Sequence, residues 1–190
     1  SEDCLTLNVW TRADKQDEKL PVMVWFHGGA LVWGSGSEYS GDELTKQGVI
    51  LVTVNYRLGP FGFFSHPELS EETGTSGNQG FKDQILSLKW VQENIDKFGG
   101  DPDNVTIFGE SAGSWSVNVL QASPLSRGLF HKVIGQSGAR LIPLTHLNQS
   151  APYSDSAEQL GLNLSQVMTN SSTTNLEILR KLSPIQIIQN

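Results

Sequence analysis

Cysteine is all but missing from this chain. Cys4 is the only one in 190 residues, so no disulfide closes within it, and a lone thiol reads as a small buried apolar group. No apolar run approaches the roughly 20 residues that a bilayer-spanning helix needs, which excludes a membrane span in this stretch. Cationic charge is scarce as well. Lysine and arginine number 13 against 20 acids, a net charge of −7, and nothing here neutralises a phosphate backbone, which excludes nucleic acid as a partner. The acidity is concentrated early: residues 1–113 carry 17 acids against 8 lysines and arginines, the remainder 3 against 5. Those acids are spread over loops and helix faces and read as a solvated surface.

What is present is a pattern around Gly109-Glu110-Ser111-Ala112-Gly113. Before it runs Val105-Thr106-Ile107-Phe108, short and β-branched like a strand, and after it Ser114 to Leu120, which continues as a helix. A serine on so tight a strand-to-helix turn needs flanking residues without side chains, because the two backbones pass close together. Gly109 and Gly113 meet that need. Such a turn lifts the Ser111 hydroxyl clear of the sheet and aims the first free N–H groups of the helix, starting with Ala112, at the place where an oxyanion forms. A plain strand-to-helix turn has the same letters, so the pentapeptide alone leaves both readings open.

A second segment bears on that choice. Leu20 to Phe26 reads as a buried strand running straight into His27-Gly28-Gly29-Ala30. A serine hydrolase of the strand–turn–helix type takes a second oxyanion donor from a small-residue loop of the His-Gly-Gly-Gly kind after an earlier strand. Ala30 stands where the third glycine would be, and its methyl group leaves the backbone N–H in place. The alternative is a glycine turn with His27 merely bonded to backbone.

The remaining periodicities give an α/β order. Leu5 to Thr11 alternates as a strand, Val49 to Val54 is continuous and β-rich, and Lys132 to Gln136 is a further strand. Asn78 to Phe98 reads as a long helix with Ile85, Leu88, Val91, Ile95 and Phe98 on one face, stopped by Gly99-Gly100. Strands alternating with helices predict a parallel sheet covered on both faces. Asp83 is expected in the first helical turn, where the macrodipole favours a carboxylate. Further on, Ser156-Ala157-Glu158-Gln159 has capping-box spacing, Ser183-Pro184 reads as an N-cap with proline at the first helical position, and Asn170 to Thr174 is a polar linker. The sequons at Asn104, Asn148, Asn163 and Asn170 permit glycans in a eukaryotic secretory route and leave the compartment open.

These residues carry a family resemblance over nearly the first 140 positions. Ser1-Glu2-Asp3-Cys4-Leu5-Thr6-Leu7-Asn8-Val9-Trp10 resembles one signature of the type-B carboxylesterases, the carboxylesterase and cholinesterase family, and Phe108 to Ser114 resembles the other. Between them, Asn55-Tyr56-Arg57-Leu58-Gly59-Pro60, Asn78-Gln79-Gly80, Asp83-Gln84, Leu88-Lys89-Trp90-Val91 and Phe98-Gly99-Gly100-Asp101-Pro102 match in order and spacing. Around Asp101 to Thr106 and Leu129 to Lys132 the wording is most like that of microbial carboxylesterases of the p-nitrobenzyl esterase kind. The resemblance implies an α/β-hydrolase fold: a mostly parallel sheet with helices on both faces. It implies that Ser111 is the acylated nucleophile, that Gly29, Ala30 and Ala112 donate the oxyanion N–H groups, and that Glu110, His27 and Gly28 line the site. It further implies an Arg57–Asp83 ion pair, an upstream partner for Cys4 in many relatives, and a helical cap beginning over residues 140–190. A small carboxylic ester is the implied substrate, with no cofactor and no metal.

One expected feature is lacking. In such hydrolases the triad runs in chain order serine, acid, histidine, yet after Ser111 the histidines His131 and His146 precede all the acids, Asp155, Glu158 and Glu177. The chain is therefore expected to be part of a single catalytic domain, truncated at both ends, whose general base and acid lie beyond Asn190. The sequence leaves oligomeric state open. A different class remains as the alternative, a catalytically silent cholinesterase-like adhesion domain; such domains commonly lose the elbow serine, which this chain keeps.

Overall fold

Three apolar stretches of this chain, residues 22–26, 50–54 and 105–108, form the middle of a sheet, and Ile50–Val54 is buried at every residue. A computed structural model of the chain describes residues 3–139, 145–152, 154–172 and 175–189. Ser1, Glu2, residues 140–144 at the start of the expected cap, and Thr173-Thr174 of the polar linker lie outside these. Strands β1 (Leu7–Trp10), β2 (Leu20–Phe26), β3 (Ile50–Val54), β4 (Gly100–Glu110) and β5 (Lys132–Gln136) form one sheet in the order β1-β3-β2-β4-β5. The interior pairs, β2 with β3, β2 with β4 and β4 with β5, are parallel. Only β1, at an edge, runs antiparallel, with Leu7 opposite Val54.

The helices are α1 (Asp42–Thr45), α2 (Gly59–Phe63), α3 (Pro67–Thr73), α4 (Gln79–Asn94), α5 (Ala112–Ala122), α6 (Ala157–Thr169), α7 (Leu176–Leu179) and α8 (Pro184–Ile188). The chain divides into two compact units. Of the described residues, 3–57 and 81–139 form the first, and 58–80 with those between 145 and 189 form the second.

In the first unit the core joins the sheet to α4 and α5. Val22, Val24, Phe26, Ile50, Val52, Val105 and Ile107 meet Leu88 and Val91 from α4, Ile95 from the short 3-10 turn that follows it, and Val117 and Leu120 from α5. Every one of these side chains is removed from water, each worth about 1.5–3 kcal/mol of burial. One charged pair accompanies them. The Arg57 guanidinium grips Asp83 with both arms, Nε to Oδ2 and a terminal nitrogen to Oδ1, each at 2.8 Å, and the Arg57 N–H adds a third bond at 3.1 Å. Asp83 is the fifth residue of α4, a turn further in than the sequence reading put it. Its charge is thus answered by Arg57 and not by the helix end. The bond to Asp83 also raises the Arg57 pKa above its ordinary value, against the pull of burial.

The second unit is helical. His66 caps α3 by accepting the Glu68 N–H on Nδ1, and the Glu68 carboxylate in turn accepts the Leu176 N–H at the start of α7 at 2.9 Å. Arg180 and Glu72 form a two-armed pair between α7 and α3. Ser156 and Ser183 cap α6 and α8 as their spacing predicted, each accepting the N–H three residues on. No described helix is long and apolar enough to cross a membrane.

Candidate active site

The sheet order fixes where a site can form. Chain order runs from β2 to β3 on one side and later to β4 on the other, so the loops after β2 and β4 diverge at a topological switch point, the usual crevice for ligands in such sheets. The register sharpens this: Phe26, the last residue of β2, pairs with both Val54 and Gly109. The residues just beyond that pair, His27 to Ala30 after β2, and Glu110 at the end of β4 with Ser111 after it, therefore emerge side by side.

At Ser111 the backbone takes φ 54° and ψ −118°. These are the angles of the first central residue of a type II′ turn, which glycine normally occupies, and a non-glycine residue there is strained. The Ser111 N–H donates to the Gln136 carbonyl of β5 at 2.9 Å, and its own carbonyl accepts from Trp115 N–H at 3.1 Å. The side chain makes no capping bond to α5 although Ser111 occupies the N-cap position. The hydroxyl is thus left unused by the helix.

Both flanking glycines are required by contact. A Cβ on Gly113 would lie 2.0 Å from the Phe26 carbonyl oxygen, and one on Gly109 would lie 2.5 Å from the Gly113 carbonyl carbon and oxygen. The strand-to-helix turn is thus pressed onto the end of β2. The second loop meets it there: a Cβ on Gly28 would come within 3.3 Å of both Ser111 Cβ and Glu110 Oε2.

The loop itself is tightly wound. Gly29, Ala30 and Leu31 have φ of 101°, 56° and 64°, so Ala30 accepts a left-handed conformation that a third glycine would take freely. Val32 and Trp33 N–H groups close the turn on the Gly29 carbonyl at 2.9 and 3.1 Å. Gly28 is buried, Gly29 half-buried and Ala30 exposed, while Glu110 is exposed and Ala112 buried at the head of α5.

His27 is not at the loop surface. It is 1% exposed, with Nδ1 at 2.7 Å from the Gly28 carbonyl and its ring stacked on Tyr56 at 4.6 Å and 19°. A carbonyl only accepts, so Nδ1 carries the proton. Burial holds the imidazole below its ordinary pKa, with the Gly28 carbonyl and nearby Glu38 pulling the other way, which leaves a neutral ring. Tyr56, 3% exposed, donates its hydroxyl to the His27 carbonyl at 2.7 Å, and burial raises its pKa above the ordinary phenol range. Tyr39, packed on Trp25 at 5.0 Å, is raised too, by burial and then by Glu38 and Glu110.

The sequence reading gave Tyr56 no role. Its signal was position: it sits two residues past Val54, and the parallel register sets that point beside His27. Asn55 does related work, accepting Gly36 N–H at 2.8 Å and donating to Thr6 Oγ1 at 2.9 Å. His131 lies elsewhere. It accepts the Val105 N–H at 3.1 Å, and the six residues from Val105 to Glu110 carry Ser111 about 20 Å toward the other end of the strand.

A mostly parallel sheet with a strained serine turn at its switch point defines the class, an α/β-hydrolase. All of the chain aligns with the solved structure of a PNB esterase at a TM-score of 0.85 and 44% identity, covering 38% of that chain. A Geobacillus stearothermophilus carboxylesterase aligns over all of this chain and 38% of its own at a TM-score of 0.85 and 38% identity. Residues 1–190 match the Carboxylesterase family, and the chain belongs to it. Among curated relatives, the para-nitrobenzyl esterase of Bacillus subtilis is 56% identical over 142 residues, 73% of this chain and 28% of that protein. Rat carboxylesterase 1D is 44% identical over 191 residues, all of this chain and 32% of its own length. The chain thus spans about a third or less of the curated relatives it matches.

Proposed function

We propose that this chain carries the nucleophile and the oxyanion-binding half of a carboxylic-ester hydrolase. The observation that carries the reading is Ser111, held at φ 54° with its hydroxyl unused by the helix, on a turn so near the loop after β2 that a Cβ on Gly28 would lie 3.3 Å from Ser111 Cβ. Ser111 Oγ attacks the ester carbonyl carbon while its proton passes to a general base. The carbonyl oxygen becomes an oxyanion held by the Gly29, Ala30 and Ala112 N–H groups. Collapse breaks the bond to the alcohol oxygen, which takes the proton from the base, and leaves an acyl group on Ser111. Water then attacks that acyl carbon, and the acid and free serine are released. This chemistry calls for no metal or cofactor. Glu110 and Gly28 border the acyl side, and the substrate is a small carboxylic ester.

The base and its orienting acid belong, in this reading, to the same catalytic domain outside these 190 residues, with residues 140–190 beginning its helical cap. Support comes from the absence of an acid followed by a histidine after Ser111 and from the 38% of the solved PNB esterase chain that this chain spans. The names of the relatives support ester over other scissile bonds. The experiment is labelling of the full-length protein with a fluorophosphonate followed by peptide mapping. The label is expected on Ser111, because only an activated serine attacks that phosphorus; a label on another serine, or none, refutes the assignment.

A further inference from the structure

Three consecutive peptide units of the loop after β2 have their carbonyls taken. The His27 carbonyl accepts the Tyr56 hydroxyl at 2.7 Å, the Gly28 carbonyl accepts His27 Nδ1–H at 2.7 Å, and the Gly29 carbonyl accepts Val32 and Trp33 N–H. A trans peptide is planar, so its N–H points opposite to its C=O. Fixing each carbonyl therefore fixes the N–H of the next residue, and the N–H groups so fixed are those of Gly28, Gly29 and Ala30. Backbone alone secures the last of them. The Gly28 carbonyl, by contrast, is held by one side chain, and the N–H it sets is that of Gly29.

That side chain has no room to swing. The His27 ring is buried and stacked on Tyr56, and Gly34 passes so close that a Cβ there would lie 2.6 Å from Nδ1. Gly34 needs its left-handed φ of 113° and its missing side chain to let the ring sit there.

We propose that His27 is a positioning residue of the oxyanion site: its Nδ1–H holds the Gly28 carbonyl so that the Gly29 N–H stays aimed at the developing oxyanion, and Tyr56 holds His27 in place. The inference rests on the reading of Ser111 as nucleophile. It moves His27 from the lining of the site to the layer behind it. Its effect falls on the transition state, because the oxyanion exists there and not in the bound ester.

The test is steady-state hydrolysis of p-nitrophenyl butyrate by the full-length protein and three variants. His27→Leu keeps bulk at Cγ but has no donor; kcat is expected to fall roughly 10- to 100-fold with KM within about twofold, less than the 100- to 1000-fold that follows loss of a donor outright. His27→Asn places an amide nitrogen on Cγ where Nδ1 stood, and should recover most of that loss. Both variants lose the ring stack on Tyr56 and should lose similar amounts of urea midpoint, so a purely structural role would not separate their kcat values. Tyr56→Phe removes only the hydroxyl and should lower kcat about threefold to tenfold at unchanged KM. The proposal is overturned if His27→Asn is no faster than His27→Leu, if His27→Leu stays within about threefold of the parent, or if the loss appears in KM. Should His27→Leu not fold, an unchanged kcat in Tyr56→Phe overturns it and a lowered kcat at constant KM supports it. Failure of the underlying reading looks different, because the parent protein itself then takes no fluorophosphonate on Ser111.

Discussion

Replacing Ser111 by glycine, set beside replacing it by alanine, isolates the strain in the turn. Both changes remove the hydroxyl and, under the proposed function, should abolish turnover; they differ by one methyl group at φ 54°, ψ −118°. A non-glycine residue held in so sparse a region stores about 1–3 kcal/mol, and alanine keeps all of it while glycine releases it. Against this, glycine adds about 0.4–1 kcal/mol of unfolded-chain entropy. It also gives up the packing of the β-carbon, a fraction of the roughly 0.8 kcal/mol of a fully buried methylene at this half-buried residue. The balance favours Ser111→Gly over Ser111→Ala by about 1 kcal/mol. The assay is urea unfolding of the two variants of the full-length protein, followed by tryptophan fluorescence, with equal slopes required so that the midpoints compare stability. A glycine variant no more stable than the alanine variant would refute the reasoning, and with it the view that folding energy elsewhere in the sheet pays for this serine.

Gly113→Ala should be among the most damaging single changes in the chain. Its methyl group would lie 2.0 Å from the Phe26 carbonyl oxygen, a backbone atom of a central strand, so the loss should reach or exceed the roughly 1–3 kcal/mol of ordinary overpacking; a urea midpoint within error of the parent would count against it. Acid should also weaken the fold through His27. Its folded pKa is lowered from 6.5, so below about pH 6.5 the unfolded chain binds a proton that the folded one does not, and stability falls with pH by up to about 1.4 kcal/mol per unit until the folded pKa is reached. In His27→Asn the contribution vanishes, and matching midpoint-against-pH curves for parent and variant between pH 7 and 5 would contradict it.

Long elements were legible in the sequence because burial imposes a period on them. The continuous run Ile50–Val54 and the spacing of Ile85, Leu88 and Val91 lead directly to β3 and α4, although the α-helix expected to reach Phe98 ends at Asn94 and tightens into a 3-10 turn over Ile95–Phe98. Short helices left no such trace. α2 is Gly59-Pro60-Phe61-Gly62-Phe63, a composition that reads as a turn, and α3 starts on Pro67 behind a histidine cap. β4 was expected from Val105 and begins at Gly100, running through Pro102, because Gly100 pairs with Leu20 and a register shift absorbs the difference. The serine turn and the glycine loop after β2 could be located from spacing, since their backbone demands restrict residue type. The Tyr56 contact with His27 joins residues 29 apart, and no local pattern encodes it. Nor did the letters give the left-handed φ of Ala30. That angle makes Ala30→Pro a poor probe of the donor, because proline fixes φ near −65° and would break the loop as well as remove the N–H.

The pairing of Phe26 with Gly109 has a consequence for how this architecture varies. Loop and turn hang from adjacent parallel strands, so the gap between them is counted out in whole residues. Deleting one residue inside β4 would draw Ser111 back by about 3.3 Å and turn alternate side chains to the opposite face. The connection from β3 through α4 into β4 carries no such constraint, since lengthening its loops leaves the two strand ends in step. Natural insertions in relatives should therefore gather in those connecting loops and stop short at Val22–Phe26 and Val105–Glu110, where the sheet acts as the ruler that sets the distance across the site.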